Sequence, residues 1–161
     1  VWGAGQAFGD KAAGQPVLAN GRVVGSALLG QTFNGNQWFH GRPSAVDNDT
    51  LASAPSNLGP SNPELIDLIN ERRTHVAKEE GVLANLVPAD ALTASGSGLD
   101  PHISVAYAQL QAPRVADVAG LPIERVRSLI TKHTQGRTLG FLGEPGVNVV
   151  KLNLDIASTR Q

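Results

Sequence analysis

Eighteen glycines and ten prolines punctuate the 161-residue chain so closely that regular elements have only short windows in which to form. The window best defined by its ends runs from Asn62 to Gly81. Asn62 is a good N-cap. Pro63 suits the first helical position, where its missing N–H would be unpaired in any case. Leu65, Leu68, Ile69, Arg72 and Val76 recur at spacings of three and four, and Gly81 stands where a helix stops in the C′ position. The spacing predicts a helix over about residues 63–80, with Asp67, Glu71, Arg73 and Lys78 on its outer face.

The other elements are read in the same way. Gly21 to Gly30 reads as a turn and then an early strand, about residues 22–31. Ile103 to Leu110 is expected to form a short helix over about 103–110. The break at Ala112-Pro113 lets Pro113 open a second over about 114–119. Pro122 then starts a helix over about 122–135, with Ile123, Val126, Leu129, Ile130 and His133 on one face. Val147 to Ile156 alternates: Val150, Leu152, Leu154 and Ile156 against Lys151, Asn153 and Asp155. That predicts a C-terminal strand over about 147–156 with one buried face. Strand, helices, strand is the order of an α+β fold, with both strands in one small sheet.

Length fits a single domain over residues 1–161 that needs no covalent staple. The chain between about 43 and 62 is apolar-poor and longer than most loops of a compact domain, which favours a functional or mobile loop. Zero cysteines exclude a disulfide framework, a thiolate metal site and a cysteine nucleophile. Thirteen basic residues against fourteen acidic ones give a net charge of −1, which removes the electrostatic case for nucleic acid or an anionic membrane surface. No apolar stretch approaches the roughly 20 residues of a membrane span. There is no methionine, and the chain begins Val1-Trp2-Gly3, as expected of a processed start or a piece of a longer chain.

Three constellations resemble chemistry. Ser95, Ser97, Asp100 and His102 lie within eight residues, which suggests a serine hydrolase. Neither serine has the flanking of a nucleophile elbow, and two glycines with Asp-Pro make an ordinary tight turn. Asp100, His102, His133 and Glu144 have the residue types of a metal site, but at no ligand spacing. Residues 114–137 read as a helix, a Gly turn and a second helix bearing Arg125, Arg127 and Lys132, the outline of a nucleic-acid-binding helix-turn-helix. The alternative is a helical hairpin packed on a sheet. No phosphate-binding glycine loop occurs, so the chain has no recognisable means of hydrolysing a nucleotide alone.

Longer stretches are more specific. They are Arg42-Pro43-Ser44-Ala45 with Ser56-Asn57-Leu58-Gly59-Pro60-Ser61-Asn62-Pro63, then Val87-Pro88-Ala89-Asp90 with Thr93 to Ser104, then His133 to Val149. In this order they resemble the KdpC family, the C subunits of the high-affinity potassium-transporting P-type ATPase. Val23 to Gln31 is similar to the family's early strand, so the resemblance covers nearly the whole chain. It implies an N-terminal transmembrane helix ahead of Val1, a cell-membrane location, and a soluble domain on the extracytoplasmic side. It implies ion-conducting and ATP-hydrolysing partner subunits, and no nucleic acid. ATP and potassium are handled by the complex, with no cofactor expected on this domain. The C subunit's implied roles are assembly and, as a catalytic chaperone, a raised ATP affinity of the catalytic subunit. No catalytic residue carries over. The polar turn residues Asn57, Asn62, Asp100 and His102 are the expected partner contacts, because they build no core.

Overall fold

The computed structural model describes residues 16–19, 22–49, 51–52, 54–136 and 143–159. The helix read from its caps is observed over Pro63–Glu80 (α1). Asn62 Oδ1 accepts from Glu64 N at 2.9 Å, and Gly81 closes the helix at φ 65°. Two single 3₁₀ turns follow, Ala84–Leu86 and Ala89–Ala91.

The fold is α+β as expected, but its strands are shorter than expected and fall in two separate sheets. The early strand is Arg22–Ser26 (β2), paired antiparallel with Pro16–Ala19 (β1) in a hairpin of its own. A three-stranded antiparallel sheet is built from His102–Ser104 (β3), Thr134–Gln135 (β4) and Gly146–Asn148 (β5), in the order β3-β5-β4. Its register sets His102 against Asn148 and Thr134 against Val147.

Three helix expectations need correction. The helices read at 103–110 and 114–119 are one, Val105–Ala119 (α2), preceded by β3. Pro113 does not break it. Pro113 and Gln109, whose carbonyl loses its partner, are both exposed, so water can take the freed carbonyl. Meanwhile Tyr107, Ala108, Gln111, Ala112, Val115 and Ala116 form a continuous buried stripe that outweighs the proline. The helix expected to reach 135 ends at Lys132 (Ile123–Lys132, α3), because the chain turns at His133 into β4.

The strand expected over 147–156 is only three residues of strand, followed by the helix Val149–Thr159 (α4). The same residues satisfy a helical spacing: Val149, Leu152, Asn153 and Ile156 are all buried. A strand would have sent Asn153 outward with Lys151, yet it is 1% exposed. Asn148 begins α4 by accepting from Lys151 N at 3.1 Å. The core gathers the inner faces of α2, α3 and α4 on the sheet around Phe39, Ile103, Val115, Val126, Ile130, Val147, Leu152 and Ile156. Residues 137–142, part of the last family-like stretch, lie outside the described residues, as do Trp2 and Phe8.

Candidate interaction site

Residues 33–42 run as irregular chain that enters the core only at Phe39, so their backbone groups have no ladder to join. Side chains supply the partners. Asn153 of α4 accepts from Phe39 N at 2.8 Å and donates to Phe39 O at 2.9 Å. Gln111 of α2 accepts from His40 N at 2.7 Å and donates to His40 O at 3.1 Å. Arg114 donates to Asn36 O at 2.6 Å and to Trp38 O at 3.0 Å. Its guanidinium also grips Glu80, with Nε 3.0 and 3.1 Å from the two carboxylate oxygens and Nη2 2.9 Å from Oε1. Burial pushes the Glu80 carboxyl above its ordinary pKa, and the Arg114 hydrogen bonds and charge pull against that.

This strap delivers Arg42 and Ser44 to the 95–101 loop. Arg42 Nη2 donates to Ala94 O at 3.2 Å and Thr93 O at 3.4 Å, and Nη1 lies 3.8 Å from Asp100 Oδ2. Ser44 Oγ donates to Gly98 O at 2.7 Å and accepts from Val46 N and Asn48 N. Gly98 sits at φ 69°, and a Cβ there would lie 2.8 Å from Val46 Cγ2 and 3.0 Å from Ala54 O. Glycine is required on both counts.

Asp100 and His102 stand where these pieces meet. Asp100 Oδ1 accepts from His102 N at 3.0 Å and lies 3.1 Å from His102 Nδ1. That hydrogen bond holds the Asp100 carboxyl below its usual pKa, against the opposing effect of burial. His102 Nε2 lies 3.5 Å from Asn148 Nδ2, which also donates to Ala27 O at 2.8 Å. Asp100 borders three clefts. The first, about 370 Å³, opens between the strap and the 30–36 turn. The second, about 480 Å³, lies against Leu28 and the Ser/Gly loop. The third, about 290 Å³, runs beside Gln135 and Glu144.

The expected site residues therefore divide. Asp100 and His102 are together and partly exposed. Asn57 is exposed, at φ 55°. Asn62 is occupied as the cap of α1. Sequence reasoning missed Gln111, Arg114, Asn148 and Asn153, whose roles depend on partners far along the chain. Arg42 was visible only as part of a family-like stretch.

The serine and metal constellations gain no support from the geometry, while the helix–Gly120–helix outline is present as α2 and α3, packed as a helical hairpin. Ser95 is buried, and Ser97 Oγ accepts from Leu99 N at 3.1 Å, a turn contact. His102 is directed to Asp100 and Asn148. His133 is paired with Asp155 at 2.8 Å; Asp100, His102 and Glu144 border one cleft, but no group of three ligating side chains suited to a metal occurs among the described residues. Burial opposes the Asp155 charge, yet the hydrogen bonds from Lys132 and His133 prevail and hold its carboxyl below the usual pKa. The basic face of 114–137 is partly neutralised within the domain: Arg127 pairs with Glu124 at 3.2 Å and Lys132 with Asp155 at 2.6 Å.

Comparison with known proteins identifies the lineage. The family model described as "KdpC: K+-transporting ATPase, c chain" matches residues 1–158. A "Potassium-transporting ATPase KdpC subunit" of Kineococcus radiotolerans is 50% identical over 160 residues, covering 98% of this chain and 82% of that protein. Subunits of the same name from Mycobacterium bovis and Koribacter versatilis are 51% and 44% identical, covering 96% and 95% of this chain and 84% and 79% of theirs. With a family match over residues 1–158 and about half its residues shared with curated members, the chain belongs to the KdpC family, the c chain of the K+-transporting ATPase.

Proposed function

We propose that the domain acts as a non-catalytic assembly subunit of the potassium pump, and that Asp100, His102 and Asn57 belong to the surface it presents to the partner subunits. One observation carries this reading. The Arg42–Asp100–His102 group locks the strap, the Ser/Gly loop and strand β3 into one partly exposed contour bordered by three clefts. A surface fixed by such contacts binds with little ordering cost. The partners are the ion-conducting and ATP-hydrolysing subunits, which handle potassium and ATP. The domain is held at the cell membrane by a transmembrane helix preceding it and lies on the extracytoplasmic side. An effect on ATP affinity, as a catalytic chaperone, then reaches the cytoplasmic nucleotide site through that helix and not by contact.

Substitution in the intact complex tests the assignment. Asp100→Ala, His102→Ala and Asn57→Gly should each reduce the fraction of this subunit that co-purifies with a tagged partner subunit, while the domain's melting temperature changes little. Glycine is used at position 57 because it keeps the positive φ. Asn62→Ala serves as the contrast, since loss of an N-cap costs about 1 kcal/mol of folding stability. Unchanged co-purification of the first three variants would overturn the assignment. ATP hydrolysis by the purified domain alone would overturn the non-catalytic reading.

A further inference from the structure

Helix α1 is well capped but poorly covered. Of its 18 residues, only Val76 and Ala77 are buried, both in its last five positions. The first three turns carry Leu65, Ile66, Leu68 and Ile69. Ile69 packs against the core, Leu65 and Leu68 stay half-buried, and Ile66 is 48% exposed. A helix this short on contacts is marginal unless something covers its apolar side. Beside Leu68 runs a groove of about 450 Å³ between α1 and residues 40–43, with an apolar floor of Leu68, Val76, Ala91 and Tyr107.

Charge says what could cover it. Between Asp49 and Arg72 the chain carries three carboxylates, Glu64, Asp67 and Glu71, and no lysine or arginine. All three are exposed. Their spacings of three and four place them in one stripe along α1, next to Leu68 and the groove. The cations nearest the groove are turned inward: Arg72 donates to Leu92 O at 2.9 Å, and Arg42 to Thr93 O and Ala94 O. An acidic edge repels anionic lipid headgroups, and it repels the same edge of a second copy.

We infer that the groove and acidic stripe of α1 dock a basic amphipathic segment of another pump subunit, with an apolar side chain on the Leu68–Tyr107 floor and lysine or arginine against Glu64, Asp67 and Glu71. This rests on the reading of the chain as an assembly subunit, and it adds a second contact face with a stated partner chemistry.

The test uses the intact membrane complex. A photoreactive p-benzoylphenylalanine replaces Asp67, which is exposed and does not line the groove. The expected product is a single adduct to a lysine- or arginine-bearing segment of another pump subunit. The double variant Glu64→Lys/Glu71→Lys should lower co-purification about tenfold at low salt, with a smaller effect at high salt. An adduct to lipid or to a second copy of this chain, or no adduct in an assembled complex, would overturn the inference. So would a charge-reversed variant that assembles normally at low salt. Failure here with the Asp100 and His102 variants still losing their partner refutes this face alone; failure of both sets refutes the assembly reading itself.

Discussion

Replacing Asn153 by alanine should be among the most damaging single changes in the domain. The side chain is 1% exposed, and its two polar atoms pair with both backbone groups of Phe39, at 2.8 and 2.9 Å. Phe39 is itself fully buried. The substitution leaves one N–H and one C=O without partners where water does not reach, at about 1–3 kcal/mol each. The expected loss is therefore about 2–6 kcal/mol, against a total stability on the order of 5–15 kcal/mol for a domain. At about 2–4 °C per kcal/mol for this size, the melting temperature should fall on the order of 10 °C. Asn153→Leu is the sharper variant, because it keeps the apolar bulk and removes only the hydrogen bonds. It should lose most of the same amount. Urea unfolding followed by far-UV circular dichroism gives the number directly. The exposed Ser128→Ala on α3 should stay within about 0.5 kcal/mol. If Asn153→Leu also stayed within that range, side-chain pairing of the strap would not be what holds it, and the account of the Phe39 segment would fail.

Two further outcomes follow from the same physics. Arg114→Met should cost about 3–5 kcal/mol at neutral pH, because it strands the Glu80 carboxylate, whose side chain is 1% exposed. Glu80 already has a raised pKa when folded, so its contribution is full below the unfolded value and is lost as pH rises through the folded one. Removing Arg114 widens that window. The difference from the parent protein should therefore shrink as pH falls into the ordinary Glu range, and a difference constant with pH in denaturant titrations would refute it. Gly98→Ala should cost about 2 kcal/mol, combining a left-handed backbone at φ 69° with a Cβ 2.8 Å from Val46 Cγ2. Gly96→Ala, which meets nothing within 4 Å, should melt near the parent temperature in the same assay.

How much was legible depended on where the deciding partner lies. Helix α1 was readable because its caps are local: Asn62 bonds Glu64, and Gly81 turns at the next step. The C-terminal element was misread because Val150, Leu152, Leu154 and Ile156 alternate as a strand does, while Val149, Leu152, Asn153 and Ile156 equally follow a helix. The tie is broken by Phe39, which sits 114 positions away and takes Asn153 into the core. Pro113 misled for a related reason, since its cost is local but the buried stripe of α2 that outweighs it belongs to the whole core. At the candidate site, Asp100 and His102 were visible as a turn pair. Gln111 and Arg114 were not, because nothing around them announces that they hold backbone atoms more than 70 residues away.

The catalytic look of the 95–104 stretch has a physical origin in how this domain satisfies its backbone. The three-stranded sheet has strands of three, three and two residues, so ladders serve little of the connecting chain. Buried amides and carbonyls must then find side-chain partners. Asn, Gln, Ser, Asp and Arg are the residues that can supply them, and active sites draw on several of the same types. Here Asp90 takes Ser104 N at 2.7 Å and Ser104 Oγ at 2.8 Å, Ser104 caps Tyr107, Asp100 takes His102, and Ser44 holds Gly98. Asp90 and Asp100 tie a turn and a loop to strand β3, Ser104 ties β3 to α2, and Ser44 ties two loops together. A domain built this way presents loops with the definition of regular structure, and definition is what a subunit needs if its partners are to meet the same surface each time. Loosening one link should therefore weaken assembly before it unfolds the core. Asp100→Ala, which frees His102 N and removes the carboxylate beside Arg42 while leaving the buried stripe of α2 intact, is the substitution in which that order of events should be clearest.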